Sequence, residues 1–104
     1  MVSYIEKFYV DRKICLVYGA MRDKSVVEMT GLLFPSADTI IATAPAQERA
    51  TRPETIRDLS GRDDAIIAAT VPDALRIARG LGPDVVTFVT GSLFVVAEAR
   101  SALL

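Results

Sequence analysis

At 104 residues, 51% of them apolar, the chain is long enough to fill one core and too short for a large enzyme with several substrates. Its formal charge is −1, from 12 Lys and Arg against 13 Asp and Glu, which argues against nucleic acid as the main partner, because phosphate backbones select a basic face. Histidine is absent, which excludes a Ser–His–Asp triad, a His-containing zinc site and a His general base, and the single Cys15 excludes an intrachain disulfide, as expected of a reducing compartment.

Residues 1–12 carry Tyr4, Ile5, Phe8 and Tyr9 at helical spacing and predict the tail of a helix. Glu6, Lys7, Asp11 and Arg12 break up this stretch, so it is not a signal-peptide pattern. Residues 13–18 predict a strand, apolar without clean alternation, as in a sheet covered on both faces. Cys15 lies inside it and reads as a small buried hydrophobe. After a turn over residues 19–24, Ser25 and Glu28 fit a capping box. The helix that follows has the apolar stripe Val26, Met29, Leu32 and Leu33, and Pro35 stops it.

Residues 38–43 predict the second strand, closed by Pro45, and a polar loop follows with Gln47, Glu48, Arg49 and Arg52. Thr51 and Glu54 offer a second capping box, with Pro53 in the first turn of a short helix over 53–59 that ends near Gly61. Residues 64–70 predict the third strand. Pro72 opens a third helix with Ala74, Leu75, Ala78 and Leu81 inward, ended by Gly80 and Gly82. Residues 85–89 predict the fourth strand, and Gly91-Ser92 turns into a last helix from Leu93 to about Leu103. Alternating strands and helices predict an α/β fold: a three-layer αβα Rossmann-like domain with a mainly parallel sheet and right-handed crossovers. No repeat, low-complexity segment or linker interrupts it, so residues 1–104 are expected to form a single domain. No apolar run is long enough to cross a bilayer, and no membrane is expected as a partner.

Two strand-to-helix turns carry the chemistry, because ligands of open α/β sheets bind at the carboxyl ends of strands. The first, Gly19-Ala20-Met21-Arg22-Asp23-Lys24-Ser25, is the densest charge cluster beside an apolar strand. A nucleotide P-loop needs a second Gly before its Lys. Asp23 stands there instead, and its carboxylate disfavours close wrapping of backbone N–H groups around phosphates. What remains is two cations, Arg22 and Lys24, beside the positive end of a helix, which favours a carboxylate or a phosphate. The plainer reading is a solvated turn with Asp23 or Ser25 as a helix cap.

Thr90-Gly91-Ser92 repeats this logic. Gly91 lets the backbone approach a ligand closely, and Ser92 presents a hydroxyl where a helix begins with free N–H groups. A cap and a ligand contact are compatible roles for Ser92. The two turns are expected to face one another. Arg49 and Arg52 follow the second strand on the same edge. Arg22 and Arg49 are candidate contacts for an anion or nucleotide, and for Arg52 a solvated loop is the plainer reading.

Val17-Tyr18-Gly19-Ala20-Met21-Arg22-Asp23-Lys24 resembles the F-G-A-x-x-D-K segment of folylpolyglutamate synthases and dihydrofolate synthases. Residues 33–43, with Phe34-Pro35-Ser36-Ala37-Asp38, resemble the next helix and strand of that family. Pro45 to Pro53, with Arg49-Ala50-Thr51-Arg52-Pro53, resembles its P-x-x-x-R-A-x-x-P loop. Thr90-Gly91-Ser92-Leu93-Phe94-Val95-Val96-Ala97-Glu98-Ala99-Arg100 resembles T-G-S-L-Y-L-V-G-E-A-R. Order and spacing hold from about Lys13 to the end.

The resemblance implies the C-terminal domain of a Mur-ligase-type amide synthase. Such an enzyme uses ATP and Mg²⁺ to activate a carboxylate of a dihydropteroate or folate substrate as an acyl phosphate, and the amino group of L-glutamate displaces phosphate. Carried over residue by residue, Lys24 and Ser92 would contact the incoming glutamate through its carboxylates, and Asp23 would hold the loop or orient Lys24. The departures are also informative. The family's opening D-G-A-H-N segment, its ATPase domain with a glycine-rich loop and its central-domain lysine have no counterpart here. Its P-D-N-P-R-A loop is Pro45-Ala46-Gln47-Glu48-Arg49-Ala50. The expectation is therefore most of one domain of a larger cytoplasmic enzyme, lacking the first strand. Its natural partner would be its own N-terminal ATPase domain. No ligase activity, metal or bound cofactor is expected of the chain alone. The alternative is a free-standing α/β binding or interaction module. A receiver-like domain fits poorly, since the first strand ends in Tyr18-Gly19, the third in Ala69-Thr70, and no Lys follows Lys24.

Overall fold

The computed structural model describes residues 13–22, 26–82, 84–91 and 93–103. The expected helix over 1–12 and the Ser25 cap lie outside them. In chain order the elements are β1 (Lys13–Gly19), α1 (Val26–Leu33), a 3₁₀ turn (Phe34–Ser36), β2 (Thr39–Thr43), α2 (Pro53–Ser60), β3 (Ile66–Ile67), α3 (Val71–Arg79), β4 (Val85–Gly91) and α4 (Leu93–Leu103). All strand pairs are parallel, in the order β3-β2-β1-β4.

The sheet is covered on both faces because successive side chains of a strand point to opposite sides. Ile14, Leu16 and Tyr18 of β1 join Ile40 and Ala42 of β2 on one face, against Val26, Leu33 and Phe34 and against Ile56 of α2. Cys15, Val17 and Ile41 point the other way, toward Ala74 and Ala78 of α3. Val71 and Leu75 continue that layer to Val95 and Ala99 of α4. This is the expected αβα arrangement. Cys15 is fully buried, and burial pushes its thiol pKa up, opposed by a hydrogen bond with Thr87, its register partner on β4. Among the described residues no helix is long and apolar enough to cross a membrane.

Local expectations shifted in three places. The buried face of α1 is Val26, Thr30 and Leu33, while Met29 and Leu32 are 40% and 66% exposed. Thr30 can replace an apolar residue there because its hydroxyl donates to the Val26 carbonyl at 2.8 Å. The helix over 53–60 is capped by Arg52 without a side-chain bond, so the Thr51–Glu54 capping box does not form. Thr51 is buried, and its N–H donates instead to the Ala20 carbonyl at 2.7 Å. The third strand shrinks from the expected 64–70 to Ile66–Ile67, which among the described residues is an edge strand paired with β2 alone.

Arg62 fastens the turn after α2. Its Nη1 donates to the Phe34 carbonyl at 3.0 Å, and its Nε and Nη2 reach the two carboxylate oxygens of Asp64 at 2.8 and 2.9 Å. Hydrogen bonding from Arg62 holds the Asp64 carboxyl below its ordinary value, and Asp64 in turn pushes the guanidinium up. A carboxyl depressed on folding stabilises the native state above its unfolded pKa of about 4 and loses that contribution as pH falls through the folded value. Asp64→Asn is therefore expected to flatten the fall of Tm with pH below about 4. Because Asp64 is exposed, the difference should shrink in high salt. Parallel Tm–pH curves for the two proteins would contradict this.

Candidate functional site

Parallel strands place the start of each following helix on the carboxyl edge of the sheet. Strand order also fixes one special place on that edge. The chain runs from β1 through β2 to β3 in one direction, then crosses back over the sheet to lay β4 on the other side of β1. The β1 turn leads to α1 on one face, and the β4 turn leads to α4 on the other. The crevice between β1 and β4 is therefore the topological switch point, where open α/β sheets bind ligands. The two turns singled out from sequence leave from these two strands. Gly19 and Gly91 are direct register partners, so the two turns start from adjacent strand ends. The strand ends approach so closely that a Cβ on Gly91, at φ 119°, would overlap the Gly19 carbonyl oxygen.

A third segment joins them. The loop after β2 is fastened to the first turn as a short antiparallel ribbon, with Met21 bridged to Ala50. The Arg22 N–H donates to the Arg49 carbonyl at 2.7 Å, and the Thr51 N–H donates to the Ala20 carbonyl at 2.7 Å. The Arg22 guanidinium adds a bond to the Glu48 carbonyl at 3.2 Å. On its other side the loop meets α4, where the Ala46 N–H donates to Glu98 Oε2 at 2.7 Å. Glu98 had appeared in the sequence only within a motif. Its partner lies 52 positions away, a separation that no local pattern reveals.

Arg22 and Arg49 are thus neighbours through their backbones, on exposed segments beside the crevice. Arg52 is also exposed there, at the N-terminus of α2. Asp23, Lys24 and Ser92 lie outside the described residues. At the end of β2, beside Gly19, the fully buried Thr43 hydroxyl has no hydrogen-bond partner among the described residues. The edge is cationic in its loops and lies at helix N-termini, a combination suited to anions. Among the described residues no group of three or more Cys, Asp or Glu side chains is gathered to hold a metal.

No protein-family model matches the chain. It is 39% identical over 105 residues to a probable bifunctional folylpolyglutamate synthase/dihydropteroate synthase of Haloferax volcanii. That match takes in 97% of this chain. The chain is thus similar to one part of a folylpolyglutamate synthase-type protein. Two solved structures share the fold at lower identity. Escherichia coli FolC in complex with DHPP and ADP has a TM-score of 0.89 at 16% identity, over 98% of this chain. The bifunctional folylpolyglutamate synthase/dihydrofolate synthase of Yersinia pestis, complexed with AMPPNP and a Mn ion, has a TM-score of 0.85 at 20% identity. It too is matched over 98% of this chain. The chain spans 12% of the Haloferax relative and 24% and 25% of the Escherichia coli and Yersinia pestis chains.

Proposed function

We propose that this chain is the C-terminal domain of an ATP-dependent ligase of the folylpolyglutamate synthase type, and that its β1–β4 crevice positions L-glutamate. The observation that carries the reading is the register pairing of Gly19 with Gly91 at the switch point. It supports the reading because the G-A-M-R-D-K and T-G-S segments leave from these two neighbouring strand ends. Glutamate is a dicarboxylate, and the two turns together offer Lys24, the Ser92 hydroxyl and two helix N-termini. Asp23 would orient Lys24, and Arg22 and Arg49 would add positive potential at the rim.

In the reaction, ATP supplies the phosphoryl group that activates the folate carboxylate. The glutamate nitrogen then bonds to that carbonyl carbon as the C–O bond to phosphate breaks, and the proton lost from nitrogen leaves with the phosphate or passes to water. This chain's part is binding and orientation. Holding the amine at attack distance is itself a large contribution to rate, and closure against an ATPase domain would expel water from the contacts.

The reading divides the labour between domains. The isolated chain, given ATP, Mg²⁺, a folate and L-glutamate, is expected to release phosphate no faster than a protein-free control. Phosphate release that depends on the chain and on glutamate would overturn that division.

A further inference from the structure

The hydrogen bond between Glu98 and Ala46 links the loop and α4 across the edge. Val95 and Ala99 of α4 are buried, and Glu98 lies one turn beyond Val95. Val95 packs against the end of β1, since a Cβ on Gly19 would meet Val95 Cγ2 at 2.6 Å. Glu98 then reaches past β1 to the loop after β2 and accepts from the Ala46 N–H. That loop is tied back to the β1 turn through Arg49, Glu48 and Thr51. The connections form a closed ring: β1, its turn, the loop, Glu98, α4 and back to β1 through Val95. The positions three and four residues away on α4 are Phe94, Val95, Ser101 and Ala102, none of them a cation. Glu98 also sits beyond the first turn, where a helix dipole would favour it.

We propose that Glu98 is a positioning residue: it locks the loop after β2, and through it the β1 turn, to the helix that follows the β4 turn, so that the three segments hold one geometry. Its relevance to glutamate rests on the function proposed above, whereas the lock itself does not.

The test is amide hydrogen exchange on the full chain, read residue by residue by NMR, for wild type, Glu98→Ala and Glu98→Gln. In Glu98→Ala, the amides of Ala46, Arg22 and Thr51 are expected to exchange about tenfold faster, while core amides of β1 keep their rates. Glu98→Gln retains an oxygen acceptor and is expected to bring all three back to within about threefold of wild type. A melting curve for each variant separates this pattern from global loss of stability, which would speed the β1 core amides as well. The proposal is overturned if Ala46 is unaffected, if Ala46 alone responds, or if Glu98→Gln behaves like alanine. L-glutamate is then titrated into the same samples. If wild type takes up none while the exchange pattern holds, the proposed function fails and the lock stands. If glutamate binds equally well to all three proteins, Glu98 has no positioning role in the site.

Discussion

Gly91→Ala is expected to lower the melting temperature by about 15–30 °C, the largest effect of any single added methyl at the carboxyl edge. Two costs combine. A non-glycine residue at φ 119° is strained, by about 1–3 kcal/mol. The new Cβ would also overlap the carbonyl oxygen of Gly19, backbone that cannot swing aside as a side chain can. Forced overpacking of this kind costs about 1–3 kcal/mol more. For a domain of this size each kcal/mol lowers Tm by about 4–8 °C. Gly31→Ala is the matched control. Gly31 lies within α1, and a Cβ there meets nothing within 4 Å. That change is expected to stabilise the chain by about 0.5–1 kcal/mol through helix propensity alone. Equal melting of the Gly91→Ala and wild-type chains would mean that β1 and β4 do not meet as described.

The second large effect is on function. In the assembled ligase, Lys24→Ala is expected to raise the KM for L-glutamate by about ten- to a hundredfold, with the KM for ATP within about twofold. On the proposed function, losing that charge-assisted hydrogen bond would leave one glutamate carboxylate without its counter-charge. Ser92→Ala removes a neutral donor and is expected to cost about tenfold in the same parameter. Steady-state kinetics with each substrate varied in turn distinguish the two parameters. Equal rises for ATP and glutamate would place these side chains at the nucleotide instead.

The fold was legible because its strongest signals are local. Ile14 to Tyr18 and Ile40 to Ala42 are apolar runs too dense for a half-exposed sheet, and they became the buried centre. Pro35, Pro53 and Gly61 stand at the boundaries they announced. What failed was decided by tertiary packing. Met29 and Leu32 match a helical stripe on paper, but α1 turns Thr30 inward. Residues 64–70 have strand composition, yet among the described residues their outer side has no neighbouring strand, and the pairing with β2 ends at Ile67. Thr51 has the chemistry of a cap, but its backbone is already committed to Ala20. At the candidate site, the two turns could be read from sequence, but Gly91, read there as room for a ligand, lies against the Gly19 backbone. The links from Arg22 to Glu48 and from Ala46 to Glu98 could not, because they join residues 26 and 52 positions apart through loops with no periodic pattern.

The claim on which the rest depends is that the β1–β4 crevice receives a dicarboxylate amino acid. It is tested most directly by titrating L-glutamate into the isotope-labelled chain and following its backbone amide shifts. Saturable shifts are expected at Gly19, Ala20, Arg22, Gly91 and Ser92, and they should be lost in Lys24→Ala while its other resonances stay in place. Shifts at those amides with ATP and none with L-glutamate would contradict the account.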